Sequence, residues 1–469
     1  MKLPEAFENR MKKLLGGDYG AFFDAVCYED AVKGLRVNTH KVSALNFEEK
    51  APFRTEPIPY VRGGYIVSED AGAGKHPYHH AGVYYMQDPG AMATVAALPD
   101  ELWAREGLKI LDLCAAPGGK TTQLAALCAP MGGAVLANEY VSSRSRTLAG
   151  NVERMGLDNV LVTNVDSKNI GEWYPSFFDV AVVDAPCSGE GMYRKNDLAI
   201  SEWSLENVAR CAERQREILE NAVRTVAPDG YLLYSTCTYS TEENEEMVAW
   251  LLDKHPDFHL VPCGGAVAEH TADGIDVTDG KMPKLSLCRR FYPHISKGEG
   301  QFVALLRRDA ADAVDDVTVK DASVTLGKAE QAAVNSFLKE TTGRSFEGLT
   351  LCGGNVTAFP VREALKFPIP PFGVVAAGAV IGEARKGRLI PHHHFFMAYG
   401  DECAVRCVLN PDDERVARYL AGEEIAVDES LSGFATVMLS VGDAAVTLGG
   451  GKASGGRLKN YYPKGLRVR

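Results

Sequence analysis

No apolar run in this sequence comes near the roughly 18 residues that a membrane-crossing helix needs. It also has no CxxC pair. Its 11 cysteines are odd in number and scattered, the nearest two being Cys403 and Cys407. That pattern argues against a disulfide framework or a zinc ribbon and for a reducing compartment, so no metal is expected and those two cysteines are assigned to an ordinary strand. Nor is positive charge in excess. Lys and Arg number 50 against 62 Asp and Glu, a net charge of −12, so the average gives no hint of a grip on a phosphate backbone. The opening MKLPEAFENRMKK is followed by no apolar stretch or small-residue cleavage site, and a soluble, cytoplasmic chain without membrane contact is expected. Glycine (46) and proline (23) are near ordinary globular levels, which excludes collagen-like and low-complexity chains.

What is present is length and core. At roughly 150 residues per domain, 469 residues that are 46% hydrophobic suggest about three domains. Two stretches run against the acidic average. Residues 281–308 hold seven Lys or Arg against one acid, and residues 450–469 hold six against none. They are read either as local basic faces or as solvated surface.

From about Leu108, short β-rich runs (KILDLC, AVLAN, VLVTN, DVAVVDA, YLLYSTC) alternate with helical stretches (TTQLAALC, SSRSRTLAGNVERM, SLENVARCAERQREILENAVRTV). This predicts βαβ units, a mostly parallel sheet and helices on both faces, an α/β class. Residues 309–321, DAADAVDDVTVKD, read as a linker. The expected domains are 1–100, a small α+β unit; 101–310, the α/β core; 311–382, linker and middle unit; and 383–469, mostly β.

The chemistry is predicted at strand ends. LDLC runs into AAPGGK and then a helix, placing a Gly turn at the carboxyl end of a parallel strand, where open α/β sheets bind ligands. The turn is neither GxGxxG nor a phosphate loop, so a ligand that needs close backbone approach fits better than a pyrophosphate. Alone, it is equally a plain tight turn. Glu139 ends the next strand, where a carboxylate takes ribose hydroxyls, and Asp166 ends the third, toward a base edge; either is also an ordinary helix cap. Asp184 and Cys187 follow the fourth strand and Cys237 the fifth. A thiolate near Lys120, Arg194 or Lys195, or at a helix N-terminus, would have a lowered pKa and be a nucleophile. Ser240 and Glu243 have capping-box spacing, and the acidic run after them reads as dipole compensation. The run His392, His393, His394 reads as a polar loop.

LDLCAAPGGKTTQLA, ANE, DAPCSGEGMYRK and YSTCTYSTEENE, in that order, resemble the successive motifs of the RNA (cytosine-5) methyltransferases of the Sun/Fmu family. GLRVNTHK, MQDPGAM and RRFYPHISKGEGQFVALLRR are similar to segments flanking its catalytic core. LKNYYPKGLR is similar to the tail of the subgroup that modifies 16S ribosomal RNA. The resemblance implies a Rossmann-like methyltransferase core, an N-terminal α+β RNA-binding domain and C-terminal small α+β and β-barrel (PUA-like) RNA-binding modules. It places S-adenosylmethionine against Cys114, Ala115, Ala116, Pro117, Gly118, Gly119 and Lys120, with Glu139 on the ribose, Asp166 near the adenine and Asp184 near the methionine end or the target base. It makes Cys237 the nucleophile and Cys187 the thiol that helps the product leave. The implied substrate is 16S rRNA or the small subunit, near the decoding site, and the enzyme a monomer. A tRNA substrate and a non-catalytic ribosome assembly factor are the alternatives.

Overall fold

The computed structural model describes residues 1–310 and 319–468. Its central ten-stranded sheet is built on parallel strands β1 (Lys109–Asp112), β2 (Ala134–Asn138), β3 (Val160–Thr163), β4 (Phe178–Asp184) and β5 (Val226–Thr236). Their order is β3-β2-β1-β4-β5. Every residue of AVLAN is buried, as a strand covered on both faces requires. The connecting helices are α1 (Gly119–Cys128), α2 (Ser142–Met155), α3 (Ser167–Trp173) and α4 (Leu205–Val223), with α5 (Glu245–Lys254) after β5. In α2, Ser145, Leu148, Val152 and Met155 form the buried face at helical spacing, and Gly156 ends the helix in the left-handed region. Strand order reverses between β1 and β4, the usual place for a ligand crevice.

Antiparallel strands flank the parallel set on both sides. Strand β6 (Gln301–Arg308) pairs with β5, and β7 (Val374–Ala377) pairs with β3. The second pairing revises the expected domain division. Phe359, Phe367, Ile369 and Ala377 are buried in the same cluster as Leu111, Leu136 and Leu232 of the core, so the segment from Phe359 to Ala377 packs on the central sheet, whereas the helix Lys328–Thr341 packs on a separate four-stranded sheet of Leu349–Cys352, Asn355–Ala358, Ala379–Arg385 and Arg388–Pro391. The boundary expected at 382/383 falls inside the strand Ala379–Arg385. The Pro-rich run FPIPPFG leads into the edge strand β7, where proline is tolerated. Of the linker expected at 309–321, positions 311–318 lie outside the described residues. Asp321 accepts from the Ile369 amide at 2.9 Å.

The N-terminal unit has helices Glu5–Leu15 and Tyr19–Tyr28 and a four-stranded antiparallel sheet. The chain ends in a five-stranded sheet, with strands such as Gly433–Val441 and Ala444–Ser454. These two units share one core, in which Leu35, Phe47 and Tyr84 pack with Tyr419, Val437 and Leu458. His392–His394 are not a polar loop. His392 caps the helix His393–Tyr399, and the buried His394 Nε2 lies 3.1 Å from the Leu157 carbonyl, fastening this helix to the end of α2. Cys407 lies on a strand, as expected, but Cys403 ends a short helical turn. Among the described residues, no helix is long and apolar enough to cross a membrane.

Candidate active site

The turn after β1 enters α1 at Gly118, whose φ of 111° is rarely open to a side chain. A Cβ there would also lie 3.0 Å from Leu148 Cδ1. Just inside the helix, the buried Lys120 ammonium meets Asp184 Oδ2 at 2.8 Å. Asp184 also accepts from Ser235 Oγ at 2.7 Å and from Gln301 Nε2 at 3.4 Å. Asp112, the last residue of β1, also joins the site; it lies inside the LDLCAAPGGK run, whose reading rests on the turn that follows it. It is fully buried, Oδ2 accepts from Thr121 Oγ1 at 2.6 Å, and among the described residues Oδ1 has no partner. Burial, with the nearby Asp184 and Glu139 carboxylates adding to it, pushes its pKa up to about 7 against the opposing Thr121 bond and Lys120 charge. Burial raises Cys114 as well, again helped by Asp112, Asp184 and Glu139.

Glu139 is buried at the end of β2. Its Oε1 accepts from the Val141 amide at 2.8 Å and its Oε2 lies 3.6 Å from Arg144 Nη1. Arg144 in turn donates to the Ala116 carbonyl at 2.8 Å, which ties this carboxylate to the Gly turn. Asp166 is exposed and caps α3, accepting from the Lys168 amide at 2.8 Å. The N-terminal unit reaches the same turn. Arg36, buried, donates to the Gly119 carbonyl at 3.2 Å and to Thr122 Oγ1 at 2.9 Å.

The two thiols meet. Cys187, after β4, and Cys237, after β5, have their sulfurs 3.1 Å apart, and the Cys237 amide donates to Cys187 Sγ at 3.3 Å. The hydrogen bond with Cys237 and then burial push the Cys187 pKa well up. Cys187 therefore keeps its proton at neutral pH. The cations expected to activate a thiolate are engaged elsewhere: Lys120 with Asp184 at 2.8 Å, Arg194 with Glu299 at 2.9 Å and Lys195 with Asp88 at 2.7 Å. A carboxylate is a stronger partner for a cation than a neutral thiol, so the activation expected from these residues is not what the structure holds.

The capping box at Ser240 is also absent. Ser240 Oγ donates to Glu190 Oε1 at 2.8 Å, and Glu243 lies buried against Ser188 and Gln215. Beyond it, the buried Glu245 pairs with the buried Arg290. Glu245 and Glu246 do stand in the first turn of α5, as dipole compensation expects, but Glu243 and Glu245 are also committed to buried hydrogen bonds and an ion pair.

Residues 101–307 match the family model for 16S rRNA methyltransferase RsmB/F, residues 3–89 that for the N-terminal domain of 16S rRNA methyltransferase RsmF, and residues 406–468 that for its PUA domain. Ribosomal RNA small subunit methyltransferase F of Vibrio vulnificus is 31% identical over 99% of this chain and 97% of its own. The chain belongs to that family. The Klebsiella pneumoniae member of the RsmF family is also 31% identical, over 99% of this chain and 96% of its own. Among solved structures, a methyltransferase homologue from Pyrococcus horikoshii superposes with a TM-score of 0.57 at 28% identity, covering 65% of this chain and 95% of that one. RsmF-family membership makes S-adenosylmethionine the methyl donor.

The residues fit that group. S-adenosylmethionine carries an ammonium and a sulfonium. The crevice offers the Asp112, Glu139 and Asp184 carboxylates, one with an unpartnered buried oxygen, beside Lys120 and Arg144. Among the described residues, no cluster of His, Cys, Asp or Glu is arranged to hold a metal ion.

Proposed function

We propose that this chain methylates carbon 5 of a cytosine in 16S rRNA near the decoding site, through a covalent bond between Cys237 and carbon 6 of the ring. The observation that carries the reading is the pair of thiols that follow adjacent parallel strands, their sulfurs 3.1 Å apart, with burial and this contact holding the proton on Cys187. Carbon 5 of cytosine is a poor nucleophile. Addition of the Cys237 thiolate to carbon 6 makes the ring an enamine, so one difficult step becomes two easier ones. Release then requires loss of the carbon 5 proton and expulsion of the Cys237 sulfur, and Cys187 lies 3.1 Å from that sulfur. Asp184, oriented by Lys120 and Ser235, is a carboxylate suited to the exocyclic amine of cytosine. Cys114 to Lys120, Glu139, Asp166 and Asp184 would hold S-adenosylmethionine, which when bound supplies an electrophilic methyl. The target base must be unpaired or flipped from its stack, which costs a few kcal/mol.

Substrate RNA is assigned to the C-terminal sheet. Lys452 and Lys459 are directly opposed on neighbouring strands with both side chains exposed, a like-charge pair that costs stability unless an anion sits between them. The other basic stretch contributes less than its composition suggests. Arg289, Arg290, Lys297, Arg307 and Arg308 are each paired with a carboxylate of this chain.

The test separates the thiols. Cys237→Ala should abolish methylation and any RNA adduct. Cys187→Ala should attack and methylate but stall, leaving enzyme bound to RNA as a slow band on a denaturing gel that depends on S-adenosylmethionine. Adduct in Cys237→Ala and none in Cys187→Ala would make Cys187 the nucleophile. Bisulfite sequencing of rRNA and tRNA from cells with and without the gene identifies the substrate.

A further inference from the structure

We infer that Glu190 and Glu243 are a reciprocal pair of positioning residues that hold the two thiol-bearing loops at contact distance, each carboxylate standing on one loop and binding the other. The inference deepens the proposed function and rests on its assignment of both thiols to the reaction.

Glu243 follows Cys237 in the chain but binds the loop of Cys187. Its Oε2 accepts from the Ser188 amide at 2.9 Å and from Gln215 Nε2 at 2.9 Å, and its Oε1 accepts from Ser188 Oγ. Glu190 follows Cys187 but binds the loop of Cys237. It accepts from the Tyr239 amide at 2.9 Å and from Ser240 Oγ at 2.8 Å, with Trp203 Nε1 at 2.8 Å as a third donor. Both carboxylates are buried. Between them, Ser188 Oγ and Thr238 Oγ1 lie 2.8 Å apart, and the Gly191 amide donates to the Cys237 carbonyl at 2.9 Å. Because Ser188 Oγ gives its proton to Glu243, the Thr238 hydroxyl must donate to Ser188, so the residue after each cysteine belongs to one directed chain ending on Glu243.

A buried carboxylate with three donors is costly unless every bond is made. Burial, reinforced by the Glu190 charge, pushes the Glu243 pKa up to about 7 against the bonds from Ser188 and Gln215. A simple loop anchor needs no such group, since an amide or hydroxyl closes a loop at less desolvation. What two crossed carboxylates add is stiffness in the distance between the loops, and the reacting sulfurs sit inside that span.

Glutamine is the informative replacement. In Glu190→Gln the new amide must point an N–H at a fixed donor, Trp203 Nε1 on one side or the Tyr239 amide on the other; in Glu243→Gln it escapes this only if the Ser188 hydroxyl turns round to accept, which reverses the directed chain through Thr238. The distance between the sulfurs is read chemically with diamide, which takes two electrons and two protons from the thiols as the S–S bond forms and becomes the hydrazine. Peptide mapping identifies the Cys187–Cys237 disulfide. Glu243→Gln and Glu190→Gln should each slow its formation about tenfold or more and lower kcat by a similar factor, with KM for RNA and S-adenosylmethionine affinity near wild type. Ser188→Ala, a milder change in the same chain, should combine with Glu243→Gln less than additively. Wild-type oxidation rates in folded variants, or slowed oxidation with wild-type kcat, overturn the inference. Should Cys187 prove to be the attacking thiol, the proposed roles fail while the oxidation rates still report on the loops.

Discussion

Replacing Asp112 with asparagine tests the electrostatics of the crevice. The unfolded carboxyl ionises near 3.8 and the folded one at about 7. Between those values the native state holds a proton that the unfolded chain has lost. A raised carboxylate pKa means that stability falls as pH rises through this window, with the whole penalty present above pH 7 and none below pH 4. The gap, at about 1.36 kcal/mol per pH unit, is worth roughly 4 kcal/mol, an upper bound because a crevice open to ligand admits water. Asp112→Asn keeps an acceptor for Thr121 and removes the charge. In urea titrations the variant should match wild type near pH 4 and exceed it by about 2 to 4 kcal/mol near pH 8. Glu153 and Glu243, also raised to about 7 by burial, contribute a slope of the same sign in both proteins and cancel in the difference. Binding of S-adenosylmethionine, with its two cationic centres, should favour the Asp112 anion. Calorimetry at pH 6 in buffers of different ionisation enthalpy should show about one proton released by wild type and none by the variant, with weaker binding in the variant. Equal pH slopes together with equal proton release would refute the reasoning.

Three further outcomes are expected. Glu139→Ala should weaken S-adenosylmethionine binding by about 1.5 to 3 kcal/mol, the loss of a charge-assisted hydrogen bond, and unchanged affinity in a folded protein removes Glu139 from the cofactor site. Glu245→Ala strands the buried Arg290 guanidinium, which also donates to the Tyr239 carbonyl at 2.9 Å, and should cost about 3 to 5 kcal/mol by urea denaturation, far more than Glu56→Ala in the exposed Lys297–Glu56 pair. Lys452, Lys459 and Lys464 changed together to Ala should flatten the salt dependence of RNA binding by a little under one for each phosphate no longer neutralised, at constant cofactor affinity; an unaltered slope means that these lysines only finish the last domain.

The periodic parts of this protein are written in its sequence. The predicted AVLAN and SSRSRTLAGNVERM coincide with β2 and α2 residue for residue, because a strand buried on both faces and a helix with one apolar face depend on neighbours two to four positions apart. The same local signals place the Gly turn, Asp184 and both cysteines at strand ends, and strand ends on one side of a parallel sheet must share a crevice. Which partner each buried charge takes is a matter of tertiary structure. Ser240 and Glu243 satisfy a capping pattern locally, yet Glu243 binds Ser188 and Gln215, 55 and 28 positions away. The cations near the thiols and the basic stretch at 281–308 went likewise to carboxylates supplied by distant elements. Nothing local encodes the core shared by the first and last units, or the sheet edge completed by Val374–Ala377. A buried charge or an open strand edge is satisfied by whatever the fold brings within roughly 3 Å, and that choice is made after the chain has closed over long separations.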